Sequence, residues 1–122
     1  MGSRSVNSYR DLDARKEVMN LAEMCYRLTA TLPREELYGI TGQIRRAAVS
    51  VLANIAEGYG RENRGEYIQF LRISQGSLKE LETHLLLIVR VGLGAEETVQ
   101  PLLDQCDRVG RILRALIRSL QR

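Results

Sequence analysis

The stretch QIRRAAVSVLANIAEGYGRENRG, residues 43–65, decides the fold class of the chain. Its tail carries spaced glycines, which suggest a phosphate-binding GxGxxG loop. Such a loop follows a strand and opens a helix, so that free N–H groups point at the anion. Here Gly58 and Gly60 follow a helical pattern, and the third glycine, Gly65, stands at the wrong spacing. The sequence therefore predicts a helix that ends and turns at these glycines, and not a nucleotide site.

The helical part of this stretch has two distinct faces at about 100° per residue. The first face is apolar and predicts a core stripe of Ile40, Ile44, Ala47, Val51 and Ile55. The second face carries Gln43, Arg46, Ser50, Asn54, Glu57 and Arg61. Ser50 and Asn54 are short polar residues with poor helix propensity, and their small neighbours would let another helix approach closely. We interpret this face as a subunit interface that uses Ser50, Asn54 and Glu57; a solvated helix face is the alternative.

Outward from this stretch, apolar residues at spacings of three and four predict helices over residues 12–30, 35 to 56 or 58, 65–91 and 99–120. Pro33 suits the first turn of the second helix, and VGLG, residues 91–94, ends the third. Pro101 fits only a first turn, which predicts Thr98 as the cap of the fourth helix. The short connections favour an all-α, antiparallel up-and-down four-helix bundle. We expect one domain over residues 1–122, with residues 1–10 as a flexible tail.

The composition limits the possible classes of protein. The hydrophobic fraction is 44%, typical of a globular chain, and there is no Trp, so the core is expected to be aliphatic. No apolar run approaches the roughly 20 residues that span a bilayer. With no apolar signal segment at the N-terminus, we expect a cytoplasmic protein with no membrane partner. Cys25 and Cys106 lie far apart in sequence, which predicts two buried, reduced thiols.

The positive charge is concentrated near the C-terminus. Residues 108–122 contain five arginines and no acid, although the net charge of the whole chain is only +3. On the predicted fourth helix these arginines lie away from the apolar face, and Arg is the side chain best suited to phosphate. We interpret this stripe as a nucleic-acid surface, with a solvated outer face as the alternative. The complete set of candidate nucleic-acid-binding residues is Arg45, Arg46, Arg61, Arg64, Arg108, Arg111, Arg114 and Arg118.

The sequence predicts no catalysis, no metal site and no cofactor. His84 is the only histidine, so a pair of imidazoles for acid–base cleavage of RNA is absent. Glu57, Glu80 and Glu82 lack the Glu-x-x-His pairs that hold two metals in helical bundles. We expect His84 to lie on a helix surface or at an interface.

Two longer segments resemble a known family. LYGITGQIRRAAVSVLANIAEGYGR, residues 37–61, and FLRISQGSLKELETHLLLIVRVG, residues 70–92, are similar to the 23S rRNA-intervening-sequence proteins of bacteria. Two positions depart from the family pattern: Leu52 replaces a common proline, and a Trp of the first helix is missing near Ala14. The resemblance implies a four-helix bundle that assembles into a homopentamer. It extends, more distantly, to the accessory protein of diversity-generating retroelements, which implies nucleic acid and a reverse transcriptase as partners.

From these observations we expect a non-enzymatic, oligomeric helical bundle that binds RNA or DNA, or a nucleic-acid-processing protein, through Arg-rich surfaces. The alternative is a self-assembling or adaptor module that binds protein partners without nucleic acid.

Overall fold

The computed structural model describes the backbone of residues 2–122 and the side chains of residues 9–122. Four long helices form: α1, Gly2–Thr29; α2, Ile40–Tyr59; α3, Arg64–Arg90; and α4, Glu96–Gln121. A single 3-10 turn, Arg34–Glu36, precedes α2, and the described backbone contains no strand. Each helix packs against its neighbours in the chain, and α4 closes against α1. The predicted all-α, antiparallel up-and-down four-helix bundle is confirmed.

α1 and α2 begin at other residues than those predicted, whereas α3 begins within one residue of its predicted start. α1 starts at Gly2 and not near residue 12. α2 starts at Ile40, because residues 34–36 after Pro33 form a separate 3-10 turn. The expected flexible tail, residues 1–10, overlaps Met1 and the side chains of residues 2–8, which lie outside the described part of the chain; its mobility stays a prediction.

The predicted start of α4 was wrong. Ala95, and not Thr98, precedes the first helical residue, and its side chain makes no capping hydrogen bond. Glu96 and Glu97 favour this earlier start because they complement the positive end of the helix dipole. Pro101 consequently lies inside the helix rather than in its first turn.

The core is aliphatic and follows the predicted helix faces. On α2 the stripe is buried, except that Ile40 is only partly covered. On α4 every residue of the apolar face is buried: Leu102, Cys106, Val109, Leu113, Leu116, Ile117 and Leu120. Burying one such aliphatic side chain contributes roughly 1.5–3 kcal/mol, so these stripes provide the main driving force for bundle formation. The prediction of two buried free thiols, Cys25 and Cys106, is also confirmed.

The ends of α3 are fixed by local hydrogen bonds. At its start the Asn63 side chain accepts a hydrogen bond from the Glu66 amide at 3.0 Å. At its end Gly92 adopts a φ of 79°, a left-handed conformation that favours glycine. This turn lets the Leu93 amide donate to the Ile88 carbonyl at 2.8 Å, which completes a Schellman motif. The predicted helix end at residues 91–94 is therefore confirmed.

Gly58 has a different role from the predicted one. It lies inside α2, which ends at Tyr59 and is capped by Gly60. A methyl group on Gly58 would stand 2.8 Å from Phe70 Cβ and 2.9 Å from Tyr67 Cδ1. Glycine at this position therefore allows α2 and α3 to approach closely. The helix itself ends at Tyr59, and Gly60 is the capping residue.

A buried polar cluster joins three helices at this end of the bundle. Asp11 of α1 is 0% exposed. Its carboxylate accepts a hydrogen bond from the Tyr67 hydroxyl and another from Arg15 Nε at 2.6 Å. The Arg15 guanidinium lies 5.0 Å from the centre of the Tyr59 ring, which meets the Tyr67 ring edge to face. The cluster therefore connects α1 to the end of α2 and the start of α3.

Candidate nucleic-acid interface

Arg45 is held within the bundle. Its Nε donates to the Thr29 hydroxyl at 2.9 Å, and its guanidinium lies 4.7 Å from the centre of the Tyr26 ring. Both contacts reach α1 and satisfy part of the donor capacity of the side chain. Arg45 therefore serves the α1–α2 contact in the folded chain.

Arg61 and Arg108 also have partners inside the molecule. Arg61 pairs with Glu57 at 2.8 Å, and its guanidinium lies over the Phe70 ring. Arg108 lies 3.3 Å from a carboxylate oxygen of Glu17 on α1. These contacts reduce the positive charge that the two side chains offer to a ligand.

Glu17 is the acid that sequence reasoning missed next to the C-terminal stripe. A hydrogen bond from Gln105 and the charge of Arg108 hold the pKa of the Glu17 carboxyl below its ordinary value, against the opposing effect of burial. Asp107 gives a second correction, because it forms an ion pair with Arg111 one turn away. The stripe therefore has acidic neighbours, one immediately before it in sequence and one on α1.

Arg46, Arg114 and Arg118 remain exposed. Among residues 9–122 the structure gives these three side chains no ion pair and no side-chain hydrogen bond. Arg46 lies on α2, which is diagonal to α4 and makes no contact with it. The predicted set is thus divided between two surfaces, with Arg46 on α2 and Arg114 and Arg118 on α4.

A basic seam runs along the contact between α3 and α4. Arg114 of α4 and Lys79 of α3 face the same groove, Arg118 follows one turn after Arg114, and Arg72 precedes Lys79 by two turns. At one end of the seam, Arg64 Nη1 donates to the main-chain oxygen of Arg122 at 2.9 Å. We define the basic seam as Arg64, Arg72, Lys79, Arg114 and Arg118.

Arg72 and Lys79 were missed by the sequence reasoning. The signal was present, because a spacing of seven residues places both on one side of a helix. Arg72 is exposed and has no ion pair within the described side chains, whereas Lys79 lies 3.2 Å from Glu82. The sequence does not show which helix packs beside this side of α3. Only the fold shows that it adjoins the arginines of α4.

A groove of about 250 Å³ opens between α3 and α4 beside the seam. Its floor is formed by Leu78, Cys106 and Gly110, all of which are buried. A methyl group on Gly110 would stand 3.5 Å from Arg114 Nη1 and 3.6 Å from Leu78 Cδ2, which are ordinary contact distances. The Arg114 guanidinium therefore lies back over the groove rather than pointing straight outward.

The residues predicted to form a subunit interface make hydrogen bonds inside the chain. Ser50 Oγ and Ser77 Oγ of α3 are 2.8 Å apart, and Asn54 Nδ2 donates to the Ser50 carbonyl at 2.9 Å. Glu57 is exposed and is the ion-pair partner of Arg61. The structure thus gives Ser50 a role at the α2–α3 contact and pairs Asn54 with Ser50 within α2, and their role at a subunit interface stays a prediction.

His84 lies on α3 with 19% of its side chain exposed, 3.6 Å from a carboxylate oxygen of Glu80. Its Nε2 is buried and has no hydrogen-bond partner in the described structure. Within residues 9–122 there is no group of three or more His, Cys, Asp or Glu side chains that could hold a metal ion.

The relatives of the chain agree with this fold. A family model described as 23S rRNA-intervening sequence protein matches residues 10–115. The chain belongs to this family. The predicted resemblance is confirmed, and the matched range covers most of the intervening-sequence protein, from the buried Asp11 to the arginines of α4.

A crystal structure similar to this intervening-sequence protein is that of a protein with unknown function from the S23 ribosomal protein family of Bacteroides thetaiotaomicron. The two chains are 23% identical, with a TM-score of 0.83, over 89% of this chain and 98% of the other. At this identity the similarity supports the four-helix fold alone. A comparison with curated proteins gives no match. No helix among the described residues has the length and apolar character needed to cross a membrane.

Proposed function

We propose that this intervening-sequence protein is a non-enzymatic, cytoplasmic protein that binds nucleic acid through its basic seam. The observation that supports this proposal most directly is the contrast among its arginines. Arg45, Arg61 and Arg108 have partners within the chain, whereas Arg72, Arg114 and Arg118 are exposed, without ion pairs in the described structure, and collected along one pair of helices. Unpaired guanidinium groups on one surface attract phosphates, which supply most non-specific binding energy.

The dimensions of the seam suit a nucleic-acid backbone. Arg64 and Lys79 are 15 residues apart on α3, which corresponds to about 22 Å along a helix axis. Five cations over this length would contact several phosphates at once. If all five neutralise phosphates, log K should fall with log salt with a slope of roughly −3.5 for single strands and −4.5 for duplex DNA.

The family resemblance extends this proposal to assembly. In a homopentamer the basic seam would be present five times, and the combined field would raise both the affinity and the association rate. A nucleic-acid-processing enzyme such as a reverse transcriptase is the protein partner that the distant resemblance favours. Native mass spectrometry measures the copy number, and a monomer at micromolar concentration would contradict the ring.

A structural or adaptor module is the second candidate function. The observation that favours it is a set of exposed apolar side chains on the outer surfaces of α1 and α2. Those exposed by more than two fifths include Leu12, Met19, Tyr26 and Val49. Such side chains suit contacts between subunits or with a protein partner. The two candidate functions use different surfaces, so substitutions can separate them.

The test compares two double variants that change the net charge of the protein by the same amount. Arg114→Glu together with Arg118→Glu reverses the centre of the seam, whereas Arg34→Glu together with Arg46→Glu reverses two exposed arginines near the other helix pair. We expect the first variant to weaken binding of a 20-nucleotide RNA or DNA by at least a hundredfold. The slope of log K against log salt should also become less steep, by the amount that corresponds to the loss of about two phosphate contacts. The second variant should change binding by less than tenfold.

Equal losses in the two variants would show that only net charge matters and would contradict the basic seam. Absence of binding by the wild-type protein at 50 mM salt would overturn the proposed function and favour the adaptor module.

A further inference from the structure

The groove beside the basic seam has the features of a small, ring-sized binding site. Its volume of about 250 Å³ lies just below the range of sites for drug-sized ligands, which begins near 300 Å³. Leu78, Cys106 and Gly110 form the floor, and because they are almost fully buried the apolar surface that they leave exposed is small. Gly110 has no side chain, and a methyl group there would contact Arg114 and Leu78 at ordinary distances. The groove is therefore suited to one flat ring rather than to a large molecule.

The rim of the groove carries hydrogen-bond acceptors at defined positions. Glu82 and Asp107 provide carboxylates, and Gln75 provides an amide that can both donate and accept. Lys79 lies 3.2 Å from Glu82, and Arg111 pairs with Asp107, so the negative charges of the two acids are balanced locally. Each carboxylate still has lone pairs available for an N–H donor.

Arg114 connects the groove to the surface that would hold phosphates. Its guanidinium lies over Gly110 at the edge of the groove and is one turn from Arg118. A strand whose phosphates follow the basic seam would therefore bring its bases alongside the opening. In a duplex these bases are stacked and paired, and turning one out is energetically costly. A single strand has no such restriction, and its unstacked bases are the usual target of sequence-selective recognition in RNA.

We propose that the α3–α4 groove receives one unstacked nucleobase of a single strand and prefers a base with an exocyclic amino group. This inference rests on the proposed function, because the phosphates must lie on the basic seam. Glu82 and Asp107 accept from the amino group, as acidic side chains do from cytosine N4. Uracil and thymine present a carbonyl at the same ring position, which would oppose the carboxylates. The protein is thus a single-strand binder with a selective position, and not only a cationic surface.

The test measures affinity for fluorescent 10-nucleotide tracts of cytosine and of thymine, and for cytosine and uracil tracts of RNA, at one salt concentration. Cytosine and uracil share a pyrimidine ring and differ at the position-4 group and the adjacent N3, whereas thymine also carries a 5-methyl group, so the RNA pair is the cleaner comparison. We expect about tenfold tighter binding to cytosine, the size expected for one good hydrogen bond to a base edge. Gly110→Met fills the groove and should abolish the preference while leaving the salt slope unchanged.

Glu82→Gln is a second variant that alters the rim without changing the packing at Gly110. It should reduce the preference for cytosine, and thermal unfolding of both variants checks that they fold. Equal affinity of the wild-type protein for cytosine and thymine tracts would overturn the base site and leave the proposed function intact. A cytosine preference that survives both variants would also overturn it. The seam variant Arg114→Glu with Arg118→Glu tests the phosphate contacts and not the base site, because it should weaken binding to cytosine and thymine tracts alike.

Discussion

α3 makes two helix contacts of opposite character, one with α2 and one with α4. Against α2 the backbones approach closely at Gly58, and polar side chains are satisfied across the contact: Ser74 Oγ donates to the Val51 carbonyl at 2.8 Å. Against α4 a groove lies beside Gly110, and Arg114 stands next to it without an ion pair among the described side chains. The α2–α3 contact therefore stabilises the fold, and the α3–α4 contact leaves surface and charge available for a ligand.

The two buried glycines show the same difference. Gly58 is required because any side chain would collide with α3, whereas a methyl group on Gly110 would meet its neighbours at ordinary contact distances. Glycine within a helix destabilises it by about 0.5–1 kcal/mol relative to alanine. At Gly58 close packing offsets this effect. At Gly110 no contact requires glycine, which is consistent with a groove kept open for a binding function.

The largest expected effect is at the buried cluster next to the α2–α3 contact. Asp11→Ala removes the acceptor of two charge-assisted hydrogen bonds, each worth roughly 1.5–3 kcal/mol when buried. Because Arg15 is partly solvated, we expect a total loss of about 3 kcal/mol in the free energy of unfolding, measured by urea denaturation. Asp13→Ala, at an exposed position of the same helix, is the control and should change stability by less than about 0.5 kcal/mol. Similar losses in both variants would show that the buried cluster is not what stabilises this end.

Gly58→Ala should have the next largest effect. The added methyl group would stand 2.8 Å from Phe70 Cβ, so α2 and α3 must separate slightly. Overpacking of this kind typically destabilises by about 1–3 kcal/mol, even though alanine favours the helix. Gly76→Ala on α3, where nothing lies within 4 Å of the added group, should instead stabilise by about 0.5–1 kcal/mol. If chemical denaturation shows that both variants change the free energy of unfolding in the same direction, the close approach of α2 and α3 at Gly58 is contradicted.

The buried thiols predict a moderate effect that depends on pH. Burial raises the pKa of the Cys25 thiol to about 12, and burial also raises the pKa of Cys106. An unfolded thiol titrates near pH ~8.5, so above this pH the unfolded chain releases protons that the folded chain keeps. The free energy of unfolding should therefore fall by about 1.4 kcal/mol per pH unit for each thiol, a loss that begins near pH ~8.5 and continues toward the folded pKa. Below that range the thiols should have no pH effect.

Chemical denaturation at pH 8, 9 and 10 measures this slope. Cys25→Ala removes one thiol and should reduce the slope by about one half of the thiol contribution, although it lowers stability at every pH. An unchanged slope in this variant would show that the thiol does not control the pH dependence. Because both thiols are buried, Cys25 and Cys106 should both react slowly with iodoacetamide in the folded protein.

Gly110→Ala should give the smallest effect and the opposite sign from Gly58→Ala. The methyl group meets only ordinary contacts at 3.5 and 3.6 Å, so the gain in helix propensity dominates. We expect stabilisation of about 0.5 kcal/mol, seen as an increase of a few degrees in Tm for a domain of this size. A clear loss of stability would mean that the α3–α4 contact is as tightly packed as the α2–α3 contact.

The fold was predictable because the helix signals are local and repeated. Every residue of the apolar face that the spacing predicts on α4 is buried, although Val99 and Gly110 are buried as well, and the glycines after α3 marked its end correctly. The start of α4 was missed because capping preference favours Thr98 over Ala95, whereas Glu96 and Glu97 stabilise an earlier first turn. Gly58 was misread for a similar reason: its context matches a helix end, and only the position of Phe70 and Tyr67 shows a packing role.

The candidate site was predictable only in part. The C-terminal arginines are visible in the sequence, but their partners are not. The ion pair between Arg108 and Glu17 and the hydrogen bond from Arg45 to Thr29 join residues that are distant in the chain. Arg72 was missed because a single arginine on a helix that also carries acidic residues does not indicate a binding surface. Its basic neighbours lie on α4, and only the fold brings them together. The burial of Asp11 could not be predicted either, because the segment YRDLD, residues 9–13, is rich in charged residues and is typical of a solvent-exposed helix.

The arrangement in which each helix packs beside its neighbours in the chain also affects how the protein folds. α2 and α3 are joined by residues 60–63 and meet along an extensive contact, so this hairpin forms with little loss of loop entropy. The contact between α1 and α4 joins opposite parts of the chain and must close later. Helical bundles with mostly local contacts fold in microseconds to milliseconds. We expect the α2–α3 hairpin to act as the folding nucleus, with high φ-values at Val51 and low ones at the α1–α4 residue Cys25.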